Sequence, residues 1–204
     1  MPPFDPADAA RYPAVIGVDE VGRGALCGPV VVAAVWFDPT ALPGALFAAL
    51  DDSKKLSGTA RDRIAGELLA VARVRVRAAS AALVDRRGIR TMTLDAMRRA
   101  ATALEIEALV MVDGLDRPPG LLLPCEPRVK GDATVPQIAA ASIVAKSCRD
   151  RLLRRLAVRH PGYHWERNAG YGTADHLAAI DRLGPTRHHR HSFAPLAQRG
   201  LALG

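Results

Sequence analysis

Val15-Ile16-Gly17-Val18-Asp19-Glu20-Val21-Gly22-Arg23-Gly24 runs an apolar stretch straight into two adjacent acids and a glycine-rich turn. Residues 14–18 read as a buried strand. Carboxylates that far into an apolar segment are costly unless positive charge compensates them. A strand that runs out into two acids and a flexible, basic turn suits magnesium-dependent phosphoryl transfer. The carboxylates hold hard cations, and the glycines let backbone approach a phosphodiester. Consecutive strand residues point to opposite faces. Asp19 and Glu20 therefore share a site only if the strand bends or ends there, which Gly22 permits.

Outward from this stretch, residues 30–37 (Val-Val-Val-Ala-Ala-Val-Trp-Phe, after Pro29) form a second strand rich in β-formers. The short connection favours an antiparallel pair. Gly22, Gly24 and Gly28 come close to a dinucleotide fingerprint, but that fingerprint needs its glycines to open a helix, and these lead into Pro29 and a strand. A polar loop, Asp51-Asp52-Ser53-Lys54-Lys55-Leu56-Ser57, precedes a helix from about residue 59, with Ile64, Leu68 and Val71 on one face. Residues 73–79 alternate arginine with valine or alanine, as a strand with one wet face does. A helix over 93–104 and a buried strand over 108–112, ending in Asp113-Gly114, come next. Residues 121–123 and 128–130 flank a Pro-rich loop and include a further strand. Pro136 opens a long helix at its first turn, running to about 158, and a short helix follows near 174–183. Mixed strands and helices with one early hairpin predict an α/β fold with a mixed sheet and helices on both faces.

With 204 residues and 49% hydrophobic content the chain suffices for one large domain, or for one domain with an appended subdomain. No apolar run is long enough to span a bilayer. Residues 1–12 lack the features of a secretory signal and read as a flexible tail. Cys27, Cys125 and Cys148 are odd in number and show no metal spacing, which points to a reduced, cytoplasmic protein. Net charge is +7. From Arg149 onward, ten arginines against four acids supply six of those charges, and all six histidines lie there too. Such asymmetry suggests a polyanion-facing C-terminal region on a nearly neutral body.

Asp113 ends a strand as Asp19 and Glu20 do, and neighbouring strand ends can bring carboxylates within metal-bridging distance. In Lys130-Gly131-Asp132, Asp132 is either a turn residue at the long helix's N-terminus or a further metal ligand. Within that helix Ser142, Lys146 and Asp150 recur every four residues across an apolar segment. Lys146 and Asp150 make either a helix ion pair or part of a stripe in which Ser142 and Lys146 meet phosphate. Tyr171, in Gly170-Tyr171-Gly172-Thr173, reads as an exposed stacking platform for a sugar or base, with core filling as the alternative. Arg187-His188-His189-Arg190-His191 reads as a solvated or phosphate-facing patch.

Taken together these segments resemble the bacterial ribonuclease HII family. In order they are Gly17-Val18-Asp19-Glu20-Val21-Gly22-Arg23-Gly24, Gly28-Pro29-Val30-Val31, Asp52-Ser53-Lys54-Lys55-Leu56-Ser57, Val112-Asp113-Gly114 and Lys130-Gly131-Asp132. Then come Ala140-Ala141-Ser142-Ile143-Val144-Ala145-Lys146, Arg149-Asp150-Arg151, Gly170-Tyr171-Gly172-Thr173 and Ser192-Phe193-Ala194-Pro195. The resemblance implies an RNase H-like fold over residues 13–158 with a small basic helical extension over 159–204. It implies an endonuclease that cuts RNA in RNA/DNA hybrids and cuts 5′ of single ribonucleotides embedded in duplex DNA, leaving 3′-hydroxyl and 5′-phosphate ends. The metal-binding and catalytic set it implies is Asp19, Glu20, Asp113 and Asp132, rather than Asp150, holding two Mg²⁺ or Mn²⁺ ions. Gly22-Arg23-Gly24 matches the segment that senses the 2′-hydroxyl, and Tyr171 the residue that packs on the sugar. Lys54, Ser142 and Lys146 complete the expected substrate contacts. A monomer without membrane association is expected.

The family often carries two arginines where this chain has Arg190-His191. Histidine is less charged than arginine at neutral pH, so duplex affinity is expected to fall as pH rises through neutrality unless His191 is replaced by arginine. Two other readings are a hybrid-binding module without turnover and another nuclease of the same fold. Four acids that face phosphate argue against the first, and the Gly22-Arg23-Gly24 and Tyr171 segments argue against the second.

Overall fold

A computed structural model describes residues 14–51 and 56–201 of the chain. The expected tail over 1–12 and Lys54 lie outside the described residues. Five strands form one mixed sheet in the order β3-β2-β1-β4-β5. They are β1 (Val15–Val21), β2 (Val30–Trp36), β3 (Arg73–Ala79), β4 (Leu109–Asp113) and β5 (Cys125–Arg128). The hairpin β1–β2 is antiparallel, as is β2–β3, while β4 runs parallel to β1 and β5 parallel to β4.

The helices are α1 (Gly44–Asp51), α2 (Gly58–Val71), α3 (Ala81–Arg87), α4 (Ile89–Thr102), α5 (Pro136–Arg159), α6 (Trp165–Asn168), α7 (Ala174–Leu183) and α8 (Leu196–Leu201). One face of the sheet packs Val31, Ala33 and Val35 under α5, with Leu46 and Leu50 of α1 and Ile64 and Leu68 of α2 beside it. The other packs Ile16, Val18, Val32 and Val110 against Leu94, Met97 and Ala101 of α4. Both faces are covered, so the central strands are apolar apart from Asp19, Glu20 and Asp113 toward their ends. Helix α5 crosses β1 at Gly17, where a Cβ would stand 2.0 Å from the Gln137 carbonyl carbon. Only glycine allows so close an approach, and it seats α5 directly behind Asp19.

Strand β1 does not stop at Val18. It continues through both acids to Val21, because β2 keeps pairing with it: Asp19 faces Ala33 and Glu20 faces Val32. Helix α4 starts four residues earlier than expected, and β5 lies mostly in the loop between the two expected flanks, reaching the second at Arg128. Beyond α5, Tyr163, Trp165, Ala179, Ile180 and Leu196 form a further cluster with Leu26, Cys27 and Leu153. The C-terminal helices are thereby anchored on the glycine loop between β1 and β2.

Candidate active site

Asp19 is 6% exposed on the α5 side of the sheet. The nearby Ser142 hydroxyl favours its ionised form, and Asp19 Oδ1 accepts the Glu20 N–H at 2.7 Å. Burial, with the negative charges of Glu20 and Asp113, pushes the Asp19 carboxyl up to about 7. Glu20 leaves the next strand position toward the α4 side, lining a shallow open cleft with Asp113, Arg23, Arg90, Met97 and Asp116. Burial, and to a lesser degree Asp113, raises Glu20 as well, against the opposing effect of Arg23, whose Nη1 lies 3.3 Å from Glu20 Oε1.

Asp113 ends β4 one residue past the registered pair Val18–Val112, so it stands at the same height as Asp19 on the neighbouring strand. Its Oδ1 accepts the Gly131 N–H at 2.7 Å. That bond ties down the 3₁₀ turn Gly131–Ala133, which carries half-buried Asp132. A Cβ on Gly131 would meet Ile138 Cδ1 at 2.6 Å, so glycine keeps the turn tight against α5. Among the described residues no three or more His, Cys, Asp or Glu side chains are gathered closely enough to hold a metal ion together. Asp19, Glu20 and Asp113 are instead electrostatically coupled acids at one rim of the sheet. Two have raised pKa values and all offer hard oxygen donors, a set that suits a divalent cation.

Gly22 adopts φ +88°, and a Cβ there would lie 2.2 Å from Arg149 Nε. The loop that follows is held from within. Arg149 donates to the carbonyls of Cys27, Pro29 and Ala169, and Arg190 to those of Arg23 and Gly28. Gly170 accepts from the N–H groups of Leu26 and Cys27, which brings Tyr171 alongside. Tyr171 is half-buried with the Arg149 guanidinium 5.4 Å from its ring centroid, rather than fully exposed.

Lys146 Nζ donates to Asp150 Oδ1 at 2.8 Å, and Arg61 lies 3.9 Å from the same carboxylate. The ion pair expected as one alternative is thus formed, while Ser142 alone of that stripe reaches the acids. The basic segment 187–191 is solvated only in part: Arg187 and His191 are exposed, and His188 is half-buried. His189 and Arg190 are buried because their polar groups are satisfied internally, His189 by Thr186 and His176 and Arg190 by loop carbonyls. His191 is exposed, and its N–H donates to Asp85. Sequence reasoning did not single out Arg149, Arg190 or His176 as parts of the site. An arginine that buries itself among carbonyls looks in sequence like one that faces solvent.

A family model described as Ribonuclease HII matches residues 16–196. The chain is 55% identical over 185 residues to the ribonuclease HII of Paramagnetospirillum magneticum, covering 90% of this chain and 92% of that relative. The fold matches the ribonuclease H2 of Pyrococcus horikoshii with TM-score 0.78 at 23% identity, over 91% of this chain and 96% of the other. It also matches Bst-RNase HIII, solved in complex with Mn²⁺, with TM-score 0.73 at 23% identity over 93% and 70%. The matched span takes in the coupled acids, the arginine-held glycine loop and Tyr171, and the chain belongs to the ribonuclease HII family of endoribonucleases.

Proposed function

We propose that this protein cuts the RNA strand of RNA/DNA hybrids and cuts 5′ of single ribonucleotides embedded in duplex DNA, leaving 3′-hydroxyl and 5′-phosphate ends. The observation that carries the reading is the buried Asp19 carboxyl, raised to about 7 between Glu20 and Asp113. Such a cluster costs stability and is relieved by a bound cation. Asp19, Glu20, Asp113 and Asp132 would hold Mg²⁺ or Mn²⁺. Divalent ions held there supply an activated water and neutralise charge on the leaving 3′-oxygen.

The chain's own residues do the rest. Ser142 orients Asp19, and Asp113 fixes the turn bearing Asp132. Gly22-Arg23-Gly24 lies against the 2′-hydroxyl, the group that separates RNA from DNA, and Tyr171 packs on the sugar. Lys146, released from Asp150, and Lys54 meet phosphate. The body to residue 158 carries the reaction and residues 159–204 hold the duplex backbone without reading sequence. The protein works as a cytoplasmic monomer. Among the described residues no helix is long and apolar enough to cross a membrane.

The test is a DNA duplex with one embedded ribonucleotide beside an all-DNA control, with Mg²⁺, Mn²⁺ or chelator, and with the ends mapped. One metal-dependent cut 5′ of the ribonucleotide, with the control intact, is expected. Cutting of the control would make the protein a general nuclease of this fold, and binding without cutting in either metal would make it a binding module.

A further inference from the structure

Two arginines lie inside this protein without a salt bridge among the described residues. Arg149 and Arg190 are both 0% exposed, and every hydrogen bond from either guanidinium goes to a backbone carbonyl. A buried cation normally pairs with an acid, because desolvation costs several kcal/mol. Burial depresses both, Arg190 to about 10. Charges kept inside at that cost point to the geometry they impose.

That geometry falls on the glycine loop. Arg190 Nη1 holds the Arg23 carbonyl at 2.8 Å, and its Nε and Nη2 hold Gly28 O at 3.1 and 3.0 Å. In a trans peptide the C=O and the following N–H point in opposite directions. Drawing the Arg23 carbonyl inward therefore turns the Gly24 N–H outward. Gly24 is exposed, has no heavy atom within 4 Å of where a Cβ would be, and among the described residues its N–H meets no acceptor. Arg149 works on the same turn from below. Gly22 rests on its guanidinium, and the Tyr171 ring centroid lies 5.4 Å from the guanidinium carbon. A lysine keeps the charge but not the planar fork that reaches carbonyls in several directions.

We propose that Arg149 and Arg190 are positioning residues for ribose recognition. Arg190 presents the Gly24 N–H to the sugar 2′-oxygen, and Arg149 sets the spacing between that turn and Tyr171. The inference rests on the reading of Gly22-Arg23-Gly24 and Tyr171 as the sugar-recognising elements.

The experiment compares wild type with Arg190→Lys, Arg149→Lys and Arg149→Met. It measures binding in Ca²⁺ to a DNA duplex with one ribonucleotide and to the same duplex all in DNA. The ratio of the two Kd values is the readout, because a smaller folded fraction weakens both equally and leaves it unchanged. Loss of one oriented hydrogen bond lowers the ratio about tenfold. Arg149→Lys is expected to retain more of it than Arg149→Met. An unchanged ratio in folded variants overturns the proposal. Should the arginine variants not fold, Gly24→Pro deletes the N–H itself at an open position, and an unchanged ratio there overturns it equally. A wild-type ratio near one would instead sink the reading of the site as ribose-recognising.

Discussion

Burial holds the Asp19 carboxyl protonated up to about pH 7, against 3.8 for a free aspartate. Between those values the folded chain binds a proton that the unfolded chain has lost. Stability contributed by this group therefore falls as pH rises from about 4 to 7, and above 7 the ionised carboxylate destabilises the metal-free protein by something on the order of 4 kcal/mol. Asp19→Asn keeps the shape and removes that charge. We expect it to abolish cutting, to leave duplex binding largely intact, and to raise the Tm at pH 8 while changing little at pH 4. A variant no more stable than wild type at pH 8 would refute the account. The same charge makes a bound cation stabilising. Mg²⁺ or Mn²⁺ should raise the wild-type Tm at pH 8, chelator should reverse the gain, and Asp19→Asn should show a much smaller response. A cation favours the ionised acid, so the rise of activity with pH should begin at lower pH when metal is saturating. A profile that ignores metal concentration would count against Asp19 as the titrating group.

At the scale of elements, the contact between β1 and α5 decides whether the acids face one another. Gly17→Ala would place a methyl group 2.0 Å from the Gln137 carbonyl carbon. Helix backbone cannot rotate away as a side chain can, so α5 must shift bodily and draw Ser142 from Asp19. The expected cost is about 3 kcal/mol or more, read as a lower urea midpoint, with a loss of activity beyond what the unfolded fraction explains. A midpoint within error of wild type would show that α5 adapts. Much of this architecture is legible beforehand. β1 and β2 announce themselves as apolar runs, β3 by alternation, and α5 by Pro136 at its first turn. Other elements hide for physical reasons. Pro43-Gly44 reads as a turn yet opens α1, and α3 is only seven residues long. β5 carries Pro127 between charged residues, so no β pattern shows. The acids themselves are readable as strand-end carboxylates. That β1 runs on past them is not, because it depends on how far β2 keeps pairing. Arg149 and Arg190 are the least legible, since the carbonyls that hold them are mostly more than a hundred residues away.

Across the whole molecule, the C-terminal region that Arg190 ties to the glycine loop is held together internally by histidines that must stay neutral. His176 Nδ1 donates to the Tyr171 carbonyl at 2.8 Å, which leaves its Nε2 to accept from Trp165 Nε1 at 2.9 Å. His189 Nδ1 accepts the Thr186 N–H at 2.8 Å, so its Nε2 carries the proton that faces His176 Nε2 at 3.2 Å. Every ring nitrogen is committed: an added proton on His176 Nε2 meets the Trp165 and His189 donors, and one on His189 Nδ1 displaces the Thr186 N–H and leaves only the Thr186 hydroxyl to accept it. Burial, reinforced by His176, depresses His189 to about 4 from its ordinary 6.5. Below 6.5 the unfolded chain takes up a proton that the folded one refuses until about 4. Stability from this group is thus complete above pH 6.5 and is lost as pH falls through that window, by about 3 kcal/mol in all. The loss should appear first where the pair sits, loosening residues 160–196 from the glycine loop while the sheet persists. Trp165 lies in that cluster and Trp36 in β2, so a Trp36→Phe protein reports on the C-terminal region alone. Its fluorescence should change between pH 6.5 and 4 at denaturant concentrations that leave the far-ultraviolet circular dichroism intact. His189→Gln, though less stable at pH 7, should flatten that dependence. An equally steep acid slope in His189→Gln would move the origin of the lability away from the histidine pair.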